Sequence, residues 1–161
     1  MIFSTVTNLA RLSKSQVIVL DGTFSSAPDG FRQIFTIHGS IGSGPSTKFA
    51  PFVHVLLPSK RKAVYKKALN AIKSIANDNN IVLNPPLILT DFDITEIDAF
   101  RAVFPKSARQ GCFFHLVKNW WKKIQNLRLR GEYIRNSKLQ TSFRQAEALA
   151  FLPPKEIPDS D

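Results

Sequence analysis

Two aspartates stand where short apolar runs end. Val17-Ile18-Val19-Leu20 runs into Asp21, and Leu87-Ile88-Leu89-Thr90 runs into Asp91. A run of this length bounded by breakers, here Pro85 and Pro86 before the second, reads as a buried strand. A carboxylate at the carboxyl end of such a strand lies at the rim, where α/β sheets keep their sites. Two carboxylates brought together there repel, and one tends to stay protonated unless a cation sits between them. Hard divalent cations prefer carboxylate oxygen, and Mg²⁺ needs one or two protein carboxylates plus water and phosphate. Two such ions can activate a water or hydroxyl and stabilise the leaving oxygen in phosphodiester cleavage. Either aspartate alone would read as a strand end; the pair, in this element order, favours a cation. Asp93 has two readings. It could be a further ligand, but a capping box with Glu96 three residues later accounts for it without metal.

The elements that must position these acids follow from pattern. Residues 1–13 lack a clean period, although Leu9 and Leu12 could share a short helical face. Gln16 to Leu20 is a strand stopped by Asp21, with Gly22 letting the chain turn. Pro28-Asp29-Gly30 marks a turn. Phe31 to His38 alternates like a strand, Ile41 to Ser46 is a loop, and Phe49 to Leu57 is strand-like, with Pro51 arguing for an edge or a late start. Ser59 is expected to cap a helix whose apolar face is Val64, Tyr65, Ala68, Leu69, Ile72, Ile75 and Ala76. Asn77 to Asn80 stops it. After the strand that ends at Asp91, a helix buries Ile97, Phe100 and Phe104. Ala108 to Phe114 is expected as another strand, His115 to Leu127 as a helix bounded by Gly131, and Thr141 to Ala150 as a last helix. Pro158 to Asp161 reads as a frayed tail. Three antiparallel strands followed by alternating helix and strand is the order of the ribonuclease H-like α/β fold. In it the first and fourth of these strands lie parallel and adjacent, so Asp21 and Asp91, 70 residues apart, become neighbours.

The totals fit one domain of 161 residues with 43% apolar residues and 13 Phe to build its core. Expected boundaries are a lead-in over 1–13, a core over 14–127 and a helical segment over 128–161. The lone Cys112 excludes an internal disulfide and fits a reducing compartment. With no membrane-length apolar stretch and no signal-like segment, an intracellular soluble chain is expected. Lys plus Arg number 22 against 12 Asp plus Glu, a net charge of +10 that favours a polyanionic partner, nucleic acid first. The surplus is clustered. Lys60, Arg61, Lys62, Lys66, Lys67 and Lys73 precede any acid before Asp78, and a second basic stretch includes Lys118, Lys122, Lys123, Arg128, Arg130, Arg135, Lys138 and Arg144. Lys60, Arg61, Lys62, Lys66, Lys67, Lys118, Lys122 and Lys123 are the candidate DNA contacts.

A series of short motifs then points to a family. In order they are Leu20-Asp21-Gly22-Thr23-Phe24, Phe31-Arg32-Gln33, Thr36-Ile37-His38-Gly39, Leu56-Leu57-Pro58-Ser59-Lys60 and Thr90-Asp91-Phe92-Asp93. Phe104-Pro105, Gly111-Cys112-Phe113-Phe114-His115-Leu116 and Ala148-Leu149-Ala150-Phe151-Leu152-Pro153 complete it. Over nearly its whole length the chain resembles the Mutator-like element (MULE) transposases of eukaryotes. The resemblance implies a DDE-type catalytic core that cuts and joins DNA with Mg²⁺ or Mn²⁺, with Asp21 and Asp91 as the first two acids and metal ligands. It also implies nuclear location. Where the family often has Asp-Phe-Glu, this chain has Asp91-Phe92-Asp93.

The family's third acid, usually Glu, lies beyond a helical insertion. Glu147 and Glu156 fall too early, so none is assigned, and an incomplete, inactive core is the expectation: a truncated gene model, a decayed copy or a domesticated fragment. The alternative is a non-catalytic module that binds DNA or protein, with homo-oligomerisation open. Cys112 and His115 match the family's Cys-x-x-His signature. A zinc site would need four ligands, and only His38 and His54 remain, without the spacing of a partner pair; no zinc is expected.

Overall fold

Strand pairing and helix packing in this chain follow from which phase of each strand is apolar. The computed structural model describes residues 1–42 and 44–157. In chain order these form β1 (Ile2–Phe3), α1 (Val6–Ser13), β2 (Val17–Thr23), β3 (Gln33–Ile41), β4 (Lys48–Leu57), α2 (Lys62–Asp78), β5 (Leu87–Thr90), α3 (Ile94–Val103), β6 (Ala108–Gly111), α4 (Phe113–Asn126), α5 (Arg130–Arg135) and α6 (Ser137–Ala148). The expected tail over 158–161 lies outside the described residues. The chain divides into two compact units, Met1–Gly111 and Cys112–Asp161.

The first unit holds one mixed sheet in the order β1-β4-β3-β2-β5-β6. β2, β3 and β4 pair antiparallel, while β5 joins β2, and β6 joins β5, in parallel. This is the α/β, ribonuclease H-like arrangement expected, with six strands among the described residues rather than about five. Alternation decides the buried face. Ile18 and Leu20, Phe35 and Ile37, Val53, Val55 and Leu57, and Ile88 are each at most 3% exposed. They meet Leu9 and Leu12 of α1, Tyr65, Leu69, Ile72 and Ala76 of α2, and Ala99, Phe100 and Val103 of α3 in one cluster. Phe35 meets Tyr65 edge-on at 5.5 Å, and Phe100 stacks with Phe104 at 5.9 Å, separations at which aromatic pairs attract beyond simple area burial.

Several boundaries depart from expectation, each for a local reason. β1 pairs with β4 through Ile2 opposite Val55 and Phe3 opposite His54; two residues are too few to show a period. β2 does not stop at Asp21. Its parallel ladder with β5 ends at Val19, but antiparallel pairing with β3 continues through Asp21, Gly22 and Thr23. Arg61, not Ser59, is the N-cap of α2; the Ser59 hydroxyl instead accepts from the Arg61 guanidinium at 3.3 Å. Ile75, expected on the buried face of α2, is 42% exposed. β4 starts at Lys48, so Pro51 does not delay it; β4 lies between β1 and β3, but Pro51 is beyond the residues that pair with β1 and sits opposite His38 beside a register shift. β6 ends at Gly111, so Phe113 and Phe114 are helical despite their strand propensity.

In the second unit, α4 ends before Arg128, whose φ of 60° turns the chain, and Gly131 lies inside α5 rather than marking the break. α6 begins at Ser137, earlier than expected, because the Asn136 side chain caps it by accepting from the Leu139 amide at 3.1 Å. Trp120 and Tyr133 each pack edge-on against Phe143, and Trp121 against Tyr133.

Gly39 tests the sheet packing. A Cβ there would run into the Ser15 hydroxyl and stand 2.7 Å from two Phe52 ring carbons, so both side chains would have to move. Gly39→Ala is therefore expected to destabilise the chain by about 1–3 kcal/mol, read as a lower urea midpoint. An unchanged midpoint would show that Ser15 and Phe52 have room to move.

Candidate metal centre

Register places the two acids. β2 and β5 pair Val17 with Leu87, Ile18 with Ile88 and Val19 with Leu89. The same offset, carried two residues beyond that ladder, aligns Asp21, which lies inside β2, with Asp91, the residue that follows β5; neighbouring strands run about 4.8 Å apart. Because side chains alternate, both fall on the phase of Val19 and Leu89, opposite to the core phase of Leu20 and Thr90. Both are half-buried.

Asp91 is steadied from two directions. Its Oδ1 accepts the Phe92 N–H at 2.6 Å. The Phe92 ring lies over Gly111, where a Cβ would stand 2.7 Å from the ring. Gly111 thus admits the ring that follows the acid, which gives one physical reason for glycine at the head of the Gly111-Cys112 motif.

Asp93 is the N-cap of α3. Its Oδ1 accepts from the Thr95 amide at 2.9 Å, and its Oδ2 takes the Lys60 ammonium at 3.2 Å. Burial pushes this carboxyl up, but Lys60 and the Thr95 amide outweigh it and hold the group below its ordinary value. The same Lys60 ammonium lies 4.2 Å from the Phe24 ring centroid. Asp93 is therefore committed to the helix and to Lys60.

Glu96 is the residue whose place pattern alone does not reveal. The capping-box spacing assigns it to the helix end, yet it is 5% exposed and its Oε1 has no hydrogen-bond partner. Burial, then the charges of Asp93, Asp91 and Asp21, push its carboxyl up to about 8, with Lys60 opposing. Beside it, Gln33 donates from Nε2 to the Tyr65 hydroxyl at 2.6 Å, and both residues are 1% exposed. Burial raises the Tyr65 phenol to about 12. The Gln33 Oε1 also lacks a partner and approaches Gly22, where a Cβ would stand 3.0 Å from it. One signal was available. Gln33 occupies the inward phase of an otherwise apolar strand, which marks a buried polar position.

The donor chemistry fits a hard divalent cation: carboxylate oxygens at one strand-end rim, with an unpartnered buried carboxylate oxygen close by. Among the described residues, no three His, Cys, Asp or Glu side chains already converge on one metal position. Cys112 is the N-cap of α4 without a side-chain capping bond, and His115 lies in the first turn. Of the basic candidates, Lys60 and Lys62 are paired with Asp93 and Asp98. Arg61 and Lys67 are exposed and Lys66 is half-buried on the first unit; Lys118, Lys122 and Lys123 are exposed along α4 of the second.

Glu96 makes stability depend on pH. Its proton is held more tightly in the folded chain, with a value near 8 against 4.5 ordinarily. Its contribution is full below about pH 4.5 and is lost as pH rises toward about 8. Without divalent cation, the wild type is expected to lose on the order of a few kcal/mol across that window. Glu96→Gln should remove more than half of the loss, read as urea midpoints at several pH values.

No curated protein matches the chain. A family model described as the MULE transposase domain matches residues 17–119, a stretch that contains Asp21, Asp91, Asp93, Glu96, Cys112 and His115. That match covers more than half of the sequence, and the chain belongs to the MULE transposase domain family.

Proposed function

We propose that this transposase-derived domain holds a divalent cation, Mg²⁺ or Mn²⁺, at Asp21 and Asp91 and holds DNA on its basic helices, with the nucleus as its place of action. The observation that supports the reading is the parallel β2–β5 register, whose offset, carried on by two residues, aligns Asp21 with Asp91. When bound, the cation would polarise a phosphodiester and lower the proton affinity of an attacking water or hydroxyl. The protein's own part is to fix the two carboxylates on rigid strands, with Phe92 on Gly111 holding the Asp91 turn. Lys66 and Lys67, which no ion pair engages among the described residues, and Arg61 on the first unit supply phosphate contacts. Lys118, Lys122 and Lys123 do so on the second. Such contacts bind any sequence and weaken with salt. Strand cleavage and transfer, the reaction of the intact family, needs an acid beyond this pair.

A second reading, a non-catalytic DNA- or protein-binding module, draws on the absence of three converging ligands among the described residues. Thermal unfolding with and without Mn²⁺ separates the two. A cation at about 100 times its Kd raises stability by about 2.7 kcal/mol. That gain is expected in the wild type and should vanish in Asp21→Asn and in Asp91→Asn. No gain in the wild type would leave the second reading. For DNA, the Lys66→Ala/Lys67→Ala double variant should weaken binding to all sequences alike. It should also lower the slope of log affinity against log salt by about 0.9 for each phosphate no longer neutralised; an unchanged slope would exclude these lysines from the DNA interface.

A further inference from the structure

We propose that Glu96 is a third carboxylate of the cation site formed by Asp21 and Asp91, an inference that rests on the metal-binding reading of that pair. Glu96 stands at the third position of α3, five residues past Asp91. It lies within the fields of Asp93, Asp91 and Asp21. Its Oε1 is buried and takes no hydrogen bond.

No structural duty explains a carboxylate there. A closed capping box would turn Glu96 back to the Asp93 N–H, but Glu96 packs inward, and the Thr95 amide is answered by Asp93 alone. The cation nearest to hand, Lys60, bonds Asp93 instead. The Tyr65 hydroxyl, which also feels the Glu96 charge, accepts from Gln33 and keeps its own O–H to donate, yet it makes no hydrogen bond to the Glu96 Oε1. A buried acid left without a partner among three like charges destabilises the fold. A glutamine or an apolar residue of similar volume would fit the same space without that penalty.

A dication reverses the sign of the interaction. With two positive charges between Asp21 and Asp91, a third carboxylate within their fields is attracted rather than repelled, and Glu has the side-chain rotation to turn an oxygen toward it. Asp93 is the poorer candidate, since Thr95 and Lys60 already engage its two oxygens. Glu96 precedes the helical region, so it differs in position from the downstream acid that the family resemblance leads one to seek.

The test is calorimetric titration of Mn²⁺ into the full chain, with metal-free urea unfolding of each variant beside it. Glu96→Gln is expected to unfold at an equal or higher urea midpoint than the wild type near neutral pH. Its Mn²⁺ affinity should nevertheless fall by at least about fivefold. Glu96→Asp, which keeps the charge but draws it back by one methylene, should also bind more weakly and serves if the glutamine variant does not fold. A loss smaller than about fivefold in the folded variant, while Asp21→Asn and Asp91→Asn lose binding, would overturn the role of Glu96 and leave the aspartate pair standing. Failure of the wild type to bind Mn²⁺, or full binding by both asparagine variants, would overturn the pair and Glu96 with it.

Discussion

The parallel ladder between β2 and β5 is the constraint on which this molecule turns. It pairs only three residues on each side, yet it aligns two stretches of chain that each lead into a carboxylate, Asp21 and Asp91. A slip of one residue would carry Asp21 or Asp91 to the opposite face and expose Ile18 or Ile88 in exchange. The apolar phase of each strand therefore guards the polar one. Burial of Ile18, Leu20 and Ile88 against α1, α2 and α3 holds the register, and the register holds the acids.

Beneath that rim the core is not purely apolar. Gln33, Tyr65 and Glu96 form a polar floor within a cluster of Phe and Leu side chains. A polar group in such a setting is unfavourable unless it is partnered, and two of the oxygens here are not. The compensation comes from the rest of the core, where Phe35 and Phe100 pack directly beside Tyr65 and Phe104. Gly22 leaves the Gln33 carboxamide the space it occupies. An Asp-Gly pair at the end of β2 thus joins an acid facing outward to a residue whose missing side chain accommodates the floor.

How much of this could be read from the chain depends on the range of the interaction. Continuous apolar runs ending in acid announced β2 and β5, and the order of elements announced their adjacency, because both rest on local pattern and few topological rules. Asp93 as a cap was equally local. Glu96 was not legible, because what sets it apart is first its burial, which a capping-box pattern does not reveal. β1 was too short to have a period. Phe113 and Phe114 read as strand by propensity, whereas their place at the start of α4 is set by tertiary context. Arg128 took the left-handed turn that Gly131 was better suited to supply, so that break could not be placed by residue type.

Pro51 has a consequence for how copies of the chain can meet. Along its outer side β4 pairs with β1 at His54 and Val55, Met1 exchanges hydrogen bonds with Leu56, and the Ser4 hydroxyl donates to the Phe52 carbonyl, so among the described residues the stretch before Phe52 has no outer strand partner. Proline offers no N–H to a visiting strand, and the irregular register at His38 twists the ladder beside it. On the far side, β6 is four residues long. Neither border is a good template for extending the sheet from one molecule to the next. In a chain with so many aromatic side chains, such borders disfavour strand-by-strand extension of the sheet between molecules.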